Sequence, residues 1–172
     1  PVFNADHEVS KLYKNNRKIF KSLNKLIPKY IVSFPIDKKE ISNAILANQV
    51  NLSKIIKIVH KEIRKKMNLF LNKNNNKKVI ILDIPLLLEN KINNKKDFLV
   101  FVEAQKSKIK KRIKKRANFN SKLFKKFKKI QLPIDYKKRK AHFIIKNNFT
   151  KISVKIGIKK VLKEINKWKK LF

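Results

Sequence analysis

Apolar residues recur at helical spacing along the first third of the chain. Val9, Leu12 and Tyr13 fall on one face, which predicts a helix over Ala5 to Tyr13. A second helix follows from Arg17 to Leu26 and stops before Pro28. Asp37 has the chemistry of an N-cap, and Glu40 three residues later completes a capping box. From there to Leu71 the spacing of Ile41, Ile45, Leu52, Ile55, Ile56, Val59, Ile63 and Met67 is helical. Asn72 to Lys78 is polar and asparagine-rich, hence a loop.

The pattern then changes. Val79 to Ile84 and Phe98 to Val102 are short apolar runs rich in β-branched residues, as buried parallel strands are. His142 to Ile145 is a third such run, and Val2-Phe3 reads as the end of another. Between them lie helical stretches at Gln105 to Arg116 and Ser121 to Ile130. The latter is very basic, with Leu123, Phe124 and Phe127 as its apolar stripe. Thr150 is placed to cap a last helix running toward Trp168. Strands alternating with helices predict an α/β domain with a parallel sheet and right-handed crossovers. Ligands of such sheets bind beyond the carboxyl ends of the strands. Attention therefore falls on Asn4 to Asp6, Pro85 to Asn90, Glu103 and Asn147-Asn148.

Composition changes this picture in three ways. At 172 residues and 42% hydrophobic content, one globular domain with a real core is expected. No apolar run is long enough to span a membrane, and without cysteine there is no disulfide or thiolate chemistry, which suits a cytoplasmic protein. The net charge of +36 has two readings. One is a polyanion partner. The other is codon bias toward A/T-rich lysine, isoleucine and asparagine, favoured because lysines are spread evenly and only five of 47 basic residues are arginine. Nonspecific nucleic-acid binding through charge follows from either. The single glycine, Gly157, excludes a phosphate loop within these residues, because such a loop needs several glycines. A first residue that is proline, inside a strand, leads to the expectation that an upstream segment has been lost.

The strand ends carry a collinear series that resembles the dephospho-CoA kinase family. Pro1 to Asp6 resembles its strand ending in Asp-Ala-Asp, and Val59-His60 its Leu-His-Pro segment. Pro85-Leu86-Leu87-Leu88-Glu89 is similar to its Pro-Leu-Leu-x-Glu signature. Arg112 and Arg116 fit its lid arginines, and Gln131-Leu132-Pro133 with Lys137 its Gln-x-Pro-x-x-x-Lys segment. Ala141 to Asn147 resembles its Ala-Asp-x-x-Ile-x-Asn strand. Asn4, Lys61, Ala117 and His142 depart from the pattern.

The resemblance implies a three-layer, P-loop kinase-like fold in a single domain over 1–172. It would carry a helical acceptor-binding insertion at about 29–76 and a basic helical lid at about 112–140. The family's first strand and Gly-rich loop would lie upstream of the matching region, so this stretch alone should hold ATP phosphates poorly. The implied reaction is phosphoryl transfer from ATP, with Mg²⁺, to the ribose 3′-hydroxyl of dephospho-CoA, in a chain whose oligomeric state the residues do not indicate.

Candidate roles follow, each beside a plainer one. Asp6 either orients the acceptor hydroxyl or caps the following helix. Asp83 is either linked to Mg²⁺ or satisfied by backbone amides at its strand end. Leu87, Glu89 and Asn90 either meet the acceptor or are core and solvated helix end. His60 is either an acceptor contact or a rim histidine. Arg112 and Arg116, four apart and so on one helical face, either grip phosphate or form a solvated face. Lys137 and Arg139 are further candidates for nucleotide contact. The rival functions are a basic nucleic-acid binder, with aromatics on Ser121 to Ile130 stacking on bases, and another P-loop metabolite kinase.

Overall fold

The computed structural model describes residues 1–168, and their contacts fall into two compact units, Pro1–Leu86 and Leu87 onward.

In the first unit, strand β1 (Val2–Asn4) pairs in parallel with β2 (Ile81–Asp83), with Asn4 opposite Asp83. Phe3 is buried beneath this pair and meets Phe70 at 5.5 Å between ring centroids. Helices α1 (Ala5–Asn15), α2 (Arg17–Leu26), α3 (Lys38–Ala47) and α4 (Gln49–Lys73) supply the rest. Each begins at an asparagine or aspartate whose side chain accepts from an amide two or three residues on: Asn4 from His7, Asn16 from Ile19, Asp37 from Lys39 and Asn48 from Asn51. These bonds satisfy donors that a helix start leaves orphaned. Leu52, Ile55, Val59, Ile63 and Met67 bury one stripe of α4, joined in the core by Leu12, Leu23 and Ile31. Glu8 of α1 reaches Lys66 of α4 at 3.1 Å.

Two expectations need correction here. The helical run from Asp37 to Leu71 is two helices, because Asn48 takes an extended conformation (φ −160°) that ends α3 and caps α4. Buried Asn51 then donates its amide to the Ala44 carbonyl at 3.1 Å, filling an acceptor that the break exposes. Glu40 forms no capping box. Its carboxylate accepts instead from the amides of Ser33 (3.1 Å) and Val32 (3.2 Å), fastening the loop before α3.

In the second unit, β3 (Val100–Glu103) pairs in parallel with β4 (Phe143–Lys146). The helices are α5 (Lys106–Lys114), α6 (Ser121–Ile130), α7 (Ile134–Lys140) and α8 (Lys151–Trp168). Thr150 accepts from the Ser153 amide at 3.2 Å and so caps α8, as expected. Helix α8 packs on β4, and its Gly157 lies against the buried Ile145 side chain. Phe124 and Phe127 are about a third exposed, so the α6 stripe is covered only in part. Helix α5 ends at Lys114, two residues short of Arg116, so Arg112 and Arg116 do not share one helical face. The strands are parallel as expected but shorter than the apolar runs, and Val2, Ile81 and Val102 stay more than half exposed. No helix among the described residues is long and apolar enough to cross a membrane.

Candidate active site

Two polar side chains meet at the carboxyl end of the β1–β2 pair, Asn4 and Asp83. Asn4 Nδ2 donates to Asp83 Oδ2 at 2.7 Å, while Asn4 Oδ1 accepts from the His7 amide at 2.8 Å. Asn4 therefore caps α1 and holds Asp83 with one amide group. The backbone amides proposed as the plain partners of Asp83 are replaced by this side chain. Asp6 lies in the first turn of α1 and is exposed. It is not the cap, since Asn4 fills that role. Its carboxylate makes no hydrogen bond or ion pair among the described residues.

An aspartate at position 4, as the family pattern has it, would keep the cap but place two carboxylates opposite each other. Asn4→Asp is expected to cost about 1 kcal/mol through the lost donor. Part of that loss should return in high salt, which screens like charges. Urea midpoints at low and high ionic strength check this.

His60 stands half-buried on α4. Burial, and then the charge of Arg64 one turn on, hold its imidazole below the ordinary 6.5. It is thus neutral at physiological pH, with one ring nitrogen able to accept and the other to donate.

Residues 85–91 form a run of turns in which Leu86 (φ 56°) and Lys91 (φ 49°) occupy the left-handed region. For non-glycine residues this costs on the order of 1 kcal/mol each. The Ile92 amide closes on the Leu87 carbonyl and the Lys91 amide on the Leu88 carbonyl, both at 3.2 Å. Glu89 turns inward, with its side chain only 9% exposed. Its Oε1 accepts from the Leu132 amide at 3.0 Å and lies 2.5 Å from Lys137 Nζ. Burial pushes its carboxyl pKa up, but Lys137 and the amides of Glu89 and Leu132 outweigh that, and the net value is below the ordinary 4.5. The solvated helix end proposed as the plain reading of Glu89 is not what surrounds it. The Pro-Leu-Leu-x-Glu and Gln-x-Pro-x-x-x-Lys segments, 43 residues apart, are fastened together by this one carboxylate.

The sign of the pH dependence follows. A carboxyl with a depressed folded pKa stabilises fully above its unfolded value of about 4.5, and the contribution fades as pH falls through the lower folded value. Glu89→Gln should therefore lower stability by about 1–3 kcal/mol at pH 7. The gap to the parent should close in acid, below that value. Denaturant titrations from pH 7 to pH 3 measure it.

The basic residues are placed differently from one another. Arg112, in the last turn of α5, holds its guanidinium 4.9 Å from the centroid of the Phe149 ring, a cation–π contact. Arg116 is exposed in the turn after α5. On α7, Lys137 pairs with Glu89, and Lys138 pairs with Glu103 at the end of β3. The hydrogen bond from Lys138 holds the Glu103 carboxyl below the ordinary value. Lys140 lies over the Tyr136 ring, and Arg139 is exposed with no side-chain partner among the described residues. His142, a departure from the family pattern, accepts from the Leu99 amide through Nδ1 at 2.9 Å, a bond that an aspartate oxygen could also make.

Sequence reasoning passed over Lys138 and Phe149. Nothing in a chain with so many lysines marks Lys138. Phe149 sits among polar residues just past a strand end, which was the available signal.

Comparison with known proteins defines first a fold class and then a family. A crystal structure of TT1252 from Thermus thermophilus superposes with a TM-score of 0.72 at 20% identity, covering 95% of this chain and 84% of that one. A dephospho-CoA kinase from Campylobacter jejuni superposes with 0.64 at 23% identity, covering 98% and 86%. The α/β class expected from the strand–helix alternation, and the kinase-like fold that the resemblance implies, are therefore the fold observed. The family model described as dephospho-CoA kinase matches residues 1–152. Dephospho-CoA kinases of Wolbachia pipientis (30% identical; 96% of this chain, 85% of the relative) and Rickettsia typhi (30%; 95% and 84%) are similar along nearly all of it. The chain belongs to the dephospho-CoA kinase family.

Proposed function

We propose that the protein transfers the γ-phosphoryl group of ATP to the ribose 3′-hydroxyl of dephospho-CoA, the last step in making coenzyme A, in the cytoplasm. The observation that carries this reading is the state of Asp6. It follows a strand end directly, it is exposed, and its carboxylate is uncommitted while its neighbours Asn4 and Asp83 occupy each other. A carboxylate so placed is available to accept a hydrogen bond from the acceptor hydroxyl. As the new O–P bond forms and the bond from the β-phosphate oxygen to the γ-phosphorus breaks, the hydroxyl proton passes to Asp6 and ADP leaves.

His60, Leu87 and Asn90 serve the acceptor in this reading. A neutral, half-buried imidazole suits a hydrogen bond to an uncharged sugar or base. Arg112, Arg116 and Arg139 serve ATP, where cations balance the charge on the transferring group, whereas Lys137, paired with Glu89, is not assigned to it. Glu89 is committed to protein partners and is not assigned to the acceptor. For Mg²⁺, the described residues hold no cluster of three or more ligating side chains. The ion usually takes one or two carboxylates together with substrate phosphates, so Asp83, with one oxygen held by Asn4, fits as its single protein ligand. When bound, the ion would offset charge on the β- and γ-phosphates.

A substrate panel tests the assignment. With ATP, the full-length protein should convert dephospho-CoA to CoA and leave adenosine, AMP and phosphopantetheine untouched. Phosphorylation of one of those in place of dephospho-CoA would contradict it.

A further inference from the structure

Helix α7 is seven residues long and begins at Pro133, which supplies no side-chain cap. A helix so short is not stable by itself in water, where isolated helices need roughly 12–15 residues. Two carboxylates from outside hold it. Glu89 accepts from the Leu132 amide just ahead of the helix and pairs with Lys137, and Glu103 pairs with Lys138. The chain has 11 acidic residues against 47 basic ones, so most of its lysines must go without an acidic partner. That two of the 11 acids meet adjacent lysines of one short helix is not what an even scatter of lysine would give.

The geometry of the two ties matters as well. Successive residues on a helix point about 100° apart. Restraints on Lys137 and Lys138 therefore resist rotation of α7 about its axis as well as displacement. With Lys140 lying over Tyr136, Arg139 remains the exposed cation of the last turn without a side-chain partner among the described residues. It is also one of only five arginines, and its planar fork suits phosphate oxygens better than an ammonium does.

We propose that Glu89 and Glu103 are positioning residues which, through Lys137 and Lys138, fix α7 so that Arg139 meets the phosphates of ATP. This rests on ATP being the phosphoryl donor, as in the function proposed above.

The test uses the full-length protein, with ATP binding measured by calorimetry and KM measured for each substrate. Glu89→Gln and Glu103→Gln should each weaken ATP binding severalfold and together about tenfold, with the KM for dephospho-CoA unchanged. In an Arg139→Ala background the same changes should add nothing, and Arg139→Lys should not restore affinity. If Glu89→Gln does not fold, Lys137→Met removes the same tie from the other end and should weaken ATP binding to the same degree. A raised KM for dephospho-CoA with unchanged ATP affinity would overturn the proposal and make Glu89 an acceptor contact. So would an undiminished loss in the Arg139→Ala background, or a Lys137→Met variant that binds ATP normally. Because ATP binding is read without acceptor, a protein that binds ATP but leaves dephospho-CoA unphosphorylated refutes the proposed function alone.

Discussion

Asp6→Asn should lower kcat by about 10²- to 10⁴-fold, the range over which a positioned general base contributes. The protein should otherwise be little changed. The Asp6 side chain is exposed and makes no bond among the described residues, so its replacement removes no packing. What is lost structurally is one negative charge in the first turn of α1, worth about 0.3–1 kcal/mol at a helix start. The KM values should move far less than kcat, because asparagine still offers an oxygen to the acceptor hydroxyl but is too weak a base to take its proton. Steady-state kinetics beside a thermal melt separate the two effects. A variant with the parent's turnover would remove Asp6 from the chemistry, and one that loses turnover only by unfolding would make it structural.

A second sizeable effect, on stability, is expected at Gly157→Ala. Intrinsic preference alone favours alanine over glycine inside a helix by about 1 kcal/mol. Against that, a Cβ built at position 157 would stand 2.6 Å from Ile145 Cγ2, closer than real contacts come. The group it meets is not the mobile end of a long side chain. It is a methyl on the branched carbon of a buried strand residue, where χ1 is stiff. The collision should win, and overpacking of this kind typically costs about 1–3 kcal/mol. Pairing the change with Ile145→Ala should recover part of the loss. The two changes together should therefore destabilise less than their separate effects add up to. Denaturant midpoints of the four proteins in that cycle provide the check, and strictly additive losses would mean that α8 and β4 do not meet at this point.

The helices were legible where apolar spacing and an end signal agreed. Arg17–Leu26 and Ser121–Ile130 emerge with the bounds their sequences predict, and Asp37 and Thr150 cap as their chemistry suggests. Asn48 was missed because it lies inside a run whose apolar spacing continues unbroken on either side, so periodicity hides the break. Helix α7 was missed because seven residues after a proline are too few to show a period. The strand ends drew attention to Asp6 and Asp83 because an α/β pattern says where ligands bind. The Asn4–Asp83 bond spans 79 residues and Glu89–Leu132 spans 43, and no local pattern encodes such partners. In a chain of this charge, lysine has no contrast: Lys137 and Lys138 read the same as any other pair until the carboxylates beside them are known.

A structure with dephospho-CoA bound tests the central claim most directly. The ribose 3′-oxygen should lie about 2.6–3.2 Å from a carboxylate oxygen of Asp6, near enough to give up its proton. A sugar seated elsewhere, with its hydroxyl facing another base or open solvent, would contradict the chemistry assigned to this strand end.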